Sequence, residues 1–201
     1  MVRRLSPFGF VLLAVLVSCS RRHATAVPPE THTAAELPAV REFRSGVERL
    51  LAFHNAAQKS VPVAVGASAT EITARKAAFG KALIKTRGRA AEGEVFTSPV
   101  RHYFRELIAS ELSGSGGKII REAIRESNPN SELGAGPVAL RVNTIYPENQ
   151  PLSTVPPSLL LRLPRLPEQF DYRFVGRALV LRDVESSVIL DILPKAIPRI
   201  S

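Results

Sequence analysis

The carboxyl-terminal stretch 171–193, DYRFVGRALVLRDVESSVILDIL, constrains the fold more than any other part of the chain. Apolar and polar residues alternate there with a period of two, and turn residues interrupt them at Gly176-Arg177 and near Glu185-Ser186. A two-residue turn at Gly176-Arg177 sets Phe174 opposite Leu179 and Tyr172 opposite Leu181. Pairing Asp183 with Val188 at the second turn adds Leu190 and Ile192 to the same side. One face of this three-stranded antiparallel meander becomes almost wholly apolar. The other receives Asp171, Arg173, Arg182 and Asp191, with Asp171 across from Arg182. A sheet with one apolar face needs a second layer to cover it, and the preceding residues supply one.

Val40, Phe43, Val47, Leu50, Leu51 and His54 recur at spacings of three and four after Pro38, which predicts an amphipathic helix. Ser68 and Glu71 have the capping-box spacing, and Ile72, Phe79 and Leu83 follow on one face of a second helix that Gly88 stops. Ser98 as N-cap with Pro99 behind it opens a third helix with the stripe Val100, Tyr103, Phe104, Leu107, Ile108 and Leu112. Ile119, Ile120, Ala123 and Ile124 predict a shorter fourth helix, ended by Asn128-Pro129. Beyond Gly134 the period changes to two, and Val138, Leu140, Val142, Thr144 and Tyr146 predict a strand. Six prolines between 147 and 167 then make a rigid connector. In it Pro156-Pro157 starts a short helix, Pro164 ends it, and the intervening leucines are expected to dock on the core. The expectation is one α+β domain over 38–201, with four amphipathic helices in 38–130 and the proline-rich connector and small antiparallel sheet in 136–195.

The amino terminus has a different character. Arg3 and Arg4 precede a largely apolar run over 8–17, the length of a signal-peptide core and short of the roughly 20 residues that span a bilayer. Leu16-Val17-Ser18-Cys19 follows and resembles the lipobox of bacterial lipoproteins. The resemblance implies a signal peptide over 1–19, cleavage before Cys19 and acylation of its sulfur. Each buried methylene of the acyl chains contributes about 0.8 kcal/mol to membrane retention. Ser20 after the cysteine fits transfer to the outer membrane in that family. Residues 20–37 are polar and small, with Pro28-Pro29 in the middle, and read as a tether. Ala24-Thr25-Ala26 also has the form of an ordinary cleavage site, which would instead release a soluble periplasmic or secreted protein.

Cys19 is the only cysteine, so no internal disulfide forms, and the four histidines offer no dedicated cage for a metal. No metal and no cofactor is expected. SGSGGK at 113–118 lacks the first glycine and the serine or threonine of a phosphate loop and follows a helix, so it reads as a helix connector. His102 and Glu106 lie four apart but lack further ligands, and His54 sits on an apolar face. No catalytic residue is nominated. The formal charge of +9 favours anionic surfaces. Its densest part, Arg75, Lys76, Lys81, Lys85, Arg87 and Arg89, is a candidate contact for anionic lipid or envelope polymer. Nucleic acid is not expected as a partner, because no aromatic residues interleave these charges. Asp171, Tyr172, Arg173, Arg182 and Asp191 form a candidate partner surface on the sheet.

The stretch 155–193 is similar to the carboxyl ends of exported bacterial proteins of unknown function. Its meander also resembles small periplasmic proteins of nickel and cobalt homeostasis, whose metal ligands have no counterpart here. The resemblance implies a periplasmic address. The functional expectation is an exported, lipid-anchored envelope protein acting as a non-catalytic binding or assembly module, held at the membrane through its anchor and docking an envelope protein or polymer. The alternative is an envelope-acting enzyme or chaperone-like factor that uses carboxylates the order of residues does not identify.

Overall fold

The structure, a computed structural model, describes residues 37–61, 68–127, 139–150 and 152–198. All of them belong to the compact unit Ala35–Ser201. The signal peptide, Cys19, the tether up to residue 36, Ala24-Thr25-Ala26, Asn128-Pro129 and Val138 lie outside the described residues.

Helix α1, Pro38–Lys59, turns Phe43, Gly46, Val47, Leu50, His54 and Ala57 inward. Its neighbour α2, Ala69–Arg87, opens on a complete capping box in which Ser68 accepts from the Glu71 amide and Glu71 accepts from the Ser68 amide. Those bonds hold the Glu71 carboxyl below its ordinary value. Only the second half of α2 reaches the core, through Phe79, Gly80, Leu83 and Arg87. Ile72, expected on the same face, is 51% exposed.

Helix α3, Ser98–Ser113, starts one residue earlier than the sequence suggests, with Thr97 at the N-cap position and Pro99 in the first turn. Val100, Phe104, Ile108 and Leu112, spaced by four, form its buried stripe. Gly114 and Gly117 then turn the chain into α4, Gly117–Ser127. A Cβ on Gly117 would lie 2.1 Å from the Leu112 carbonyl oxygen, so the glycine-rich stretch is a close helix-to-helix turn, as its position after a helix implied. Ile120 and Ile124 of α4 are buried, whereas Ile119 is exposed.

The sheet has four antiparallel strands in the order β1-β2-β3-β4: Ser153–Thr154, Phe170–Val175, Ala178–Asp183 and Ile189–Leu193. The α+β expectation holds; the short helix expected after Pro156-Pro157 is α5 (Pro157–Leu160), and the two-residue β1 lies beyond the expectation. The first hairpin has the expected register: Phe174 pairs Leu179, Tyr172 pairs Leu181, and Asp171 pairs Arg182. The second hairpin begins as expected, with the Asp183 amide donating to the Val188 carbonyl and Arg182 paired to Ile189. A β-bulge between Leu181 and Arg182 then shifts the ladder, so that Leu181 faces Asp191 and Val180 faces Ile192. Leu190 and Asp191 both turn toward the helices, and Ile192 turns to the far side. This corrects the placement of Asp191 on the wet face and of Ile192 on the apolar one.

The main core lies between the helices and the inner sheet face, and its centre is aromatic. Phe43 and Phe104 have ring centroids 5.0 Å apart, Phe96 meets Phe104 edge-on at 5.3 Å, and Tyr172 of β2 stacks on Phe43 at 6.3 Å. The outer sheet face is not bare either. Tyr146, Val175, Val180, Ile189 and Ile192 form a second small cluster, with Leu140, Val142 and Leu152 packed against it.

Within 139–150 the expected strand is replaced by turns and a single bridge between Ile145 and Val188. Asn143, at φ 62°, is the reason: its side-chain amide donates to the Ile84 and Gly88 carbonyls at the end of α2, while its backbone amide donates to Ile189 of β4. One residue therefore caps a helix and covers a sheet edge, which a regular strand could not do.

Phe104 is fully buried at the centre of the aromatic group. Phe104→Ala is expected to lower the unfolding free energy by about 3–5 kcal/mol, measured by urea denaturation.

Candidate functional site

The polar residues in the interior are occupied in holding the layers together. The Asp191 carboxylate, fully buried, accepts from the amides of Gly93 (2.8 Å), Val95 (2.7 Å) and Phe96 (2.8 Å), and from its own neighbour Ile192 (2.8 Å). It fixes the loop between α2 and α3 against β4. Arg87 closes the same junction: its guanidinium donates to Glu94 at 3.0 Å and to the Leu190 carbonyl at 2.9 Å. Burial pulls Arg87 below its ordinary value, and the nearby charges of Glu94 and Asp191 oppose that shift.

At the end of β3, His54 Nδ1 lies 2.6 Å from Asp183 Oδ2, and Asp183 Oδ1 accepts from the amide and the hydroxyl of Ser186 at 2.8 and 2.6 Å. The three residue types match a hydrolytic triad, but the order does not. In a triad the histidine stands between serine and carboxylate and takes the serine's proton. Here the carboxylate stands in the middle, the serine donates to it, and all three side chains are buried, with the imidazole edge-on to Phe79 and Phe170. The arrangement fastens α1 to the turn after β3. Among the described residues no three His, Cys, Asp or Glu side chains are placed to hold a metal ion.

The sequence-predicted surface residues are only partly brought together. On the outer sheet face Asp171 accepts from Arg173 Nε at 2.8 Å and from Arg182 through Nε at 3.1 Å and Nη2 at 2.7 Å. Tyr172 and Asp191 are not part of that face. Tyr172 packs in the aromatic core with its hydroxyl donating to the Pro164 carbonyl, and burial raises it well above its ordinary value. Asp191 is turned inward by the bulge. The basic stretch divides similarly: Lys76, Lys81, Lys85 and Arg89 are exposed, Arg75 is half-buried and paired with Glu185, and Arg87 is interior. Arg87 is thereby corrected from a surface contact to a structural group. His102 and Glu106 form an exposed i, i+4 pair at 3.1 Å.

A feature the sequence reading did not isolate lies beside the Asp171 group. A groove of about 590 Å³ runs between β2 and the connector. Its apolar wall is Val155, Leu160, Leu161, Leu166 and Phe170, and its charged lining is Arg165, Glu168, Asp171 and Arg173. That volume lies within the range of small-ligand sites. The connector leucines split: Leu159 and Leu163 enter the core as expected, while Leu160 and Leu161 stay 48% and 85% exposed at the groove. α5 is a single turn, so Leu159, Leu160, Leu161 and Leu163 cannot all face inward, and this was the available signal. Among the described residues no helix is long and apolar enough to cross a membrane.

Removing a buried carboxylate that satisfies several amides strands those donors and leaves Arg87 less compensated. Asp191→Ala is expected to cost about 3–5 kcal/mol of folding stability in urea denaturation. Glu106→Ala, on the exposed α3 pair, is expected to change stability by less than about 0.5 kcal/mol in the same measurement.

No known family model matches this chain, and no curated protein and no solved structure shows significant similarity to it.

Proposed function

We propose that this protein is an exported, lipid-anchored module of the bacterial envelope that binds its ligand without transforming it. The tether is the acylated sulfur of Cys19, and the working surface is the groove between the connector and β2. The observation that carries the binding reading is that groove: an open, mostly apolar trough with opposite charges on its walls, beside a fold whose interior acids and histidine are committed to structural bonds. The lipobox-like Leu16-Val17-Ser18-Cys19 and the polar residues after it support the address. An acyl anchor on Cys19 would hold the protein at the bilayer.

Two measurements on the producing cells test this. Mass spectrometry of the mature protein is expected to find an acylated amino-terminal Cys19, and Cys19→Ser is expected to move the protein from the membrane to the soluble fraction. A mature start at Val27 without an adduct, or retention of residues 1–18, overturns the anchor. A photo-crosslinking residue at Leu161 is expected to trap a specific adduct that the same residue at Ile119, 73% exposed on α4, does not. Equal labelling at both positions overturns the groove as the working surface.

A further inference from the structure

We infer that the groove holds one aliphatic chain of an anionic phosphate amphiphile, a single phospholipid or lysophospholipid molecule, with its headgroup at the arginines. The inference rests on the groove being the binding surface and specifies what it takes. The apolar component is Leu160, Leu161, Leu166, Val155 and Phe170 along one trough. Leu161 is the most solvent-exposed large hydrophobic residue among the described ones, and Leu160 beside it is half in water. Covering them with hydrocarbon removes that contact with water. A chain of methylenes suits a trough lined by leucine and proline.

The charges select the headgroup. Asp171 is already engaged through both carboxylate oxygens by Arg182, so the neighbouring Arg173 brings a positive charge that this carboxylate does not balance alone. On the opposite wall Arg165 is exposed and makes no hydrogen bond or ion pair among the described residues. Glu168 is the one other acid of the lining. The lining holds two guanidinium groups, Arg165 and Arg173, and two carboxylates, Glu168 and Asp171, and Arg182 outside the lining takes up both oxygens of Asp171. Arginine forks match phosphate oxygens, and a phosphate at the groove would give Arg165 a partner and Arg173 a second one.

The test uses the full chain carrying Cys19→Ser, so that no acyl group of its own can occupy the groove. Lyso-phosphatidylglycerol, kept below its micelle-forming concentration, is titrated by calorimetry and native mass spectrometry. Saturable binding of one molecule is expected, tightening about tenfold for each two methylenes added to the chain. Leu161→Asp is expected to abolish it, Arg165→Glu to weaken it about tenfold or more, and Glu168→Gln to strengthen it. All three positions lie at the surface or the groove lip, so unchanged circular dichroism is expected to show intact folding. A neutral monoacylglycerol of the same chain length is expected to bind at least tenfold more weakly.

The inference is overturned if no saturable binding occurs, if the neutral compound binds equally well, or if the groove substitutions leave binding unchanged. Binding to phosphatidylglycerol vesicles but not to the monomer also overturns it and makes the bilayer surface the occupant. None of these outcomes bears on Cys19 acylation or on the crosslink at Leu161. A proteinaceous adduct at Leu161 without lysophospholipid binding would leave the groove as a binding surface and remove the lipid as its ligand.

Discussion

The Asp191 carboxylate is the interaction on which the rest of this fold depends. It is a full charge with no exposure to water, tolerable only because four backbone amides point at it and the Arg87 guanidinium lies close by. Three of those amides belong to the loop that leads into α3, and one of them is that of Phe96, whose ring meets Phe104. The carboxylate thus sets where the aromatic centre of the core begins. The β-bulge makes this possible: with an unbroken ladder Asp191 would face outward, and the loop would have lost its acceptor. Arg87 reads the same irregularity from the other side by bonding the Leu190 carbonyl. Two helices, a loop and an edge strand converge on one extra residue.

A second buried acid performs a corresponding task at the end of β3, two residues beyond the Leu181 that faces Asp191. Asp183 joins His54 of α1 to the Ser186 turn, so a second carboxylate pins the sheet to the helical layer. Both acids are fully enclosed and multiply bonded, which is the environment of a rivet. A general acid or base needs a path to substrate and a proton it can release there. His54, Ser186 and Asp183 are all buried in this arrangement.

The parts of the structure that local pattern could reveal were those governed by local physics. The stripe Val100, Phe104, Ile108, Leu112, the capping box at Ser68 and the first hairpin at Gly176-Arg177 all follow from spacing and turn chemistry within a few residues. The second hairpin resisted because 188–193 is apolar at every position but one, so no alternation marks where the extra residue enters. The fate of Asp191 was set by amides almost a hundred residues earlier in the chain. Over 139–150 the alternation of Leu140, Val142 and Tyr146 was real, and those side chains do share one cluster. The strand conformation failed because Asn143 is recruited to cap α2. Three of the five candidate partner-surface residues, Asp171, Arg173 and Arg182, follow from the register; the same register puts Tyr172 on the apolar face, where it lies, so it does not belong to that surface, and the bulge turns Asp191 inward.

The groove arises from what proline removes. β1 pairs with β2 for only two residues before Val155 and Pro156-Pro157, and a proline has no amide hydrogen with which to extend the ladder. The chain turns away into α5 at the point where an ordinary edge strand would have continued along Phe170 and Asp171. It returns only at Pro164 and Pro167, whose carbonyls accept from the Tyr172 hydroxyl and the Phe170 amide. Between departure and return the connector touches the sheet at its two ends and stands off in the middle, and that gap is the trough. Because one turn of helix cannot point four leucines the same way, the turn that drives Leu159 and Leu163 into the core must present Leu160 and Leu161 to the gap. An apolar trough at this position is thus a consequence of packing four prolines and a leucine run against an edge, and no separate structural element is needed to build it.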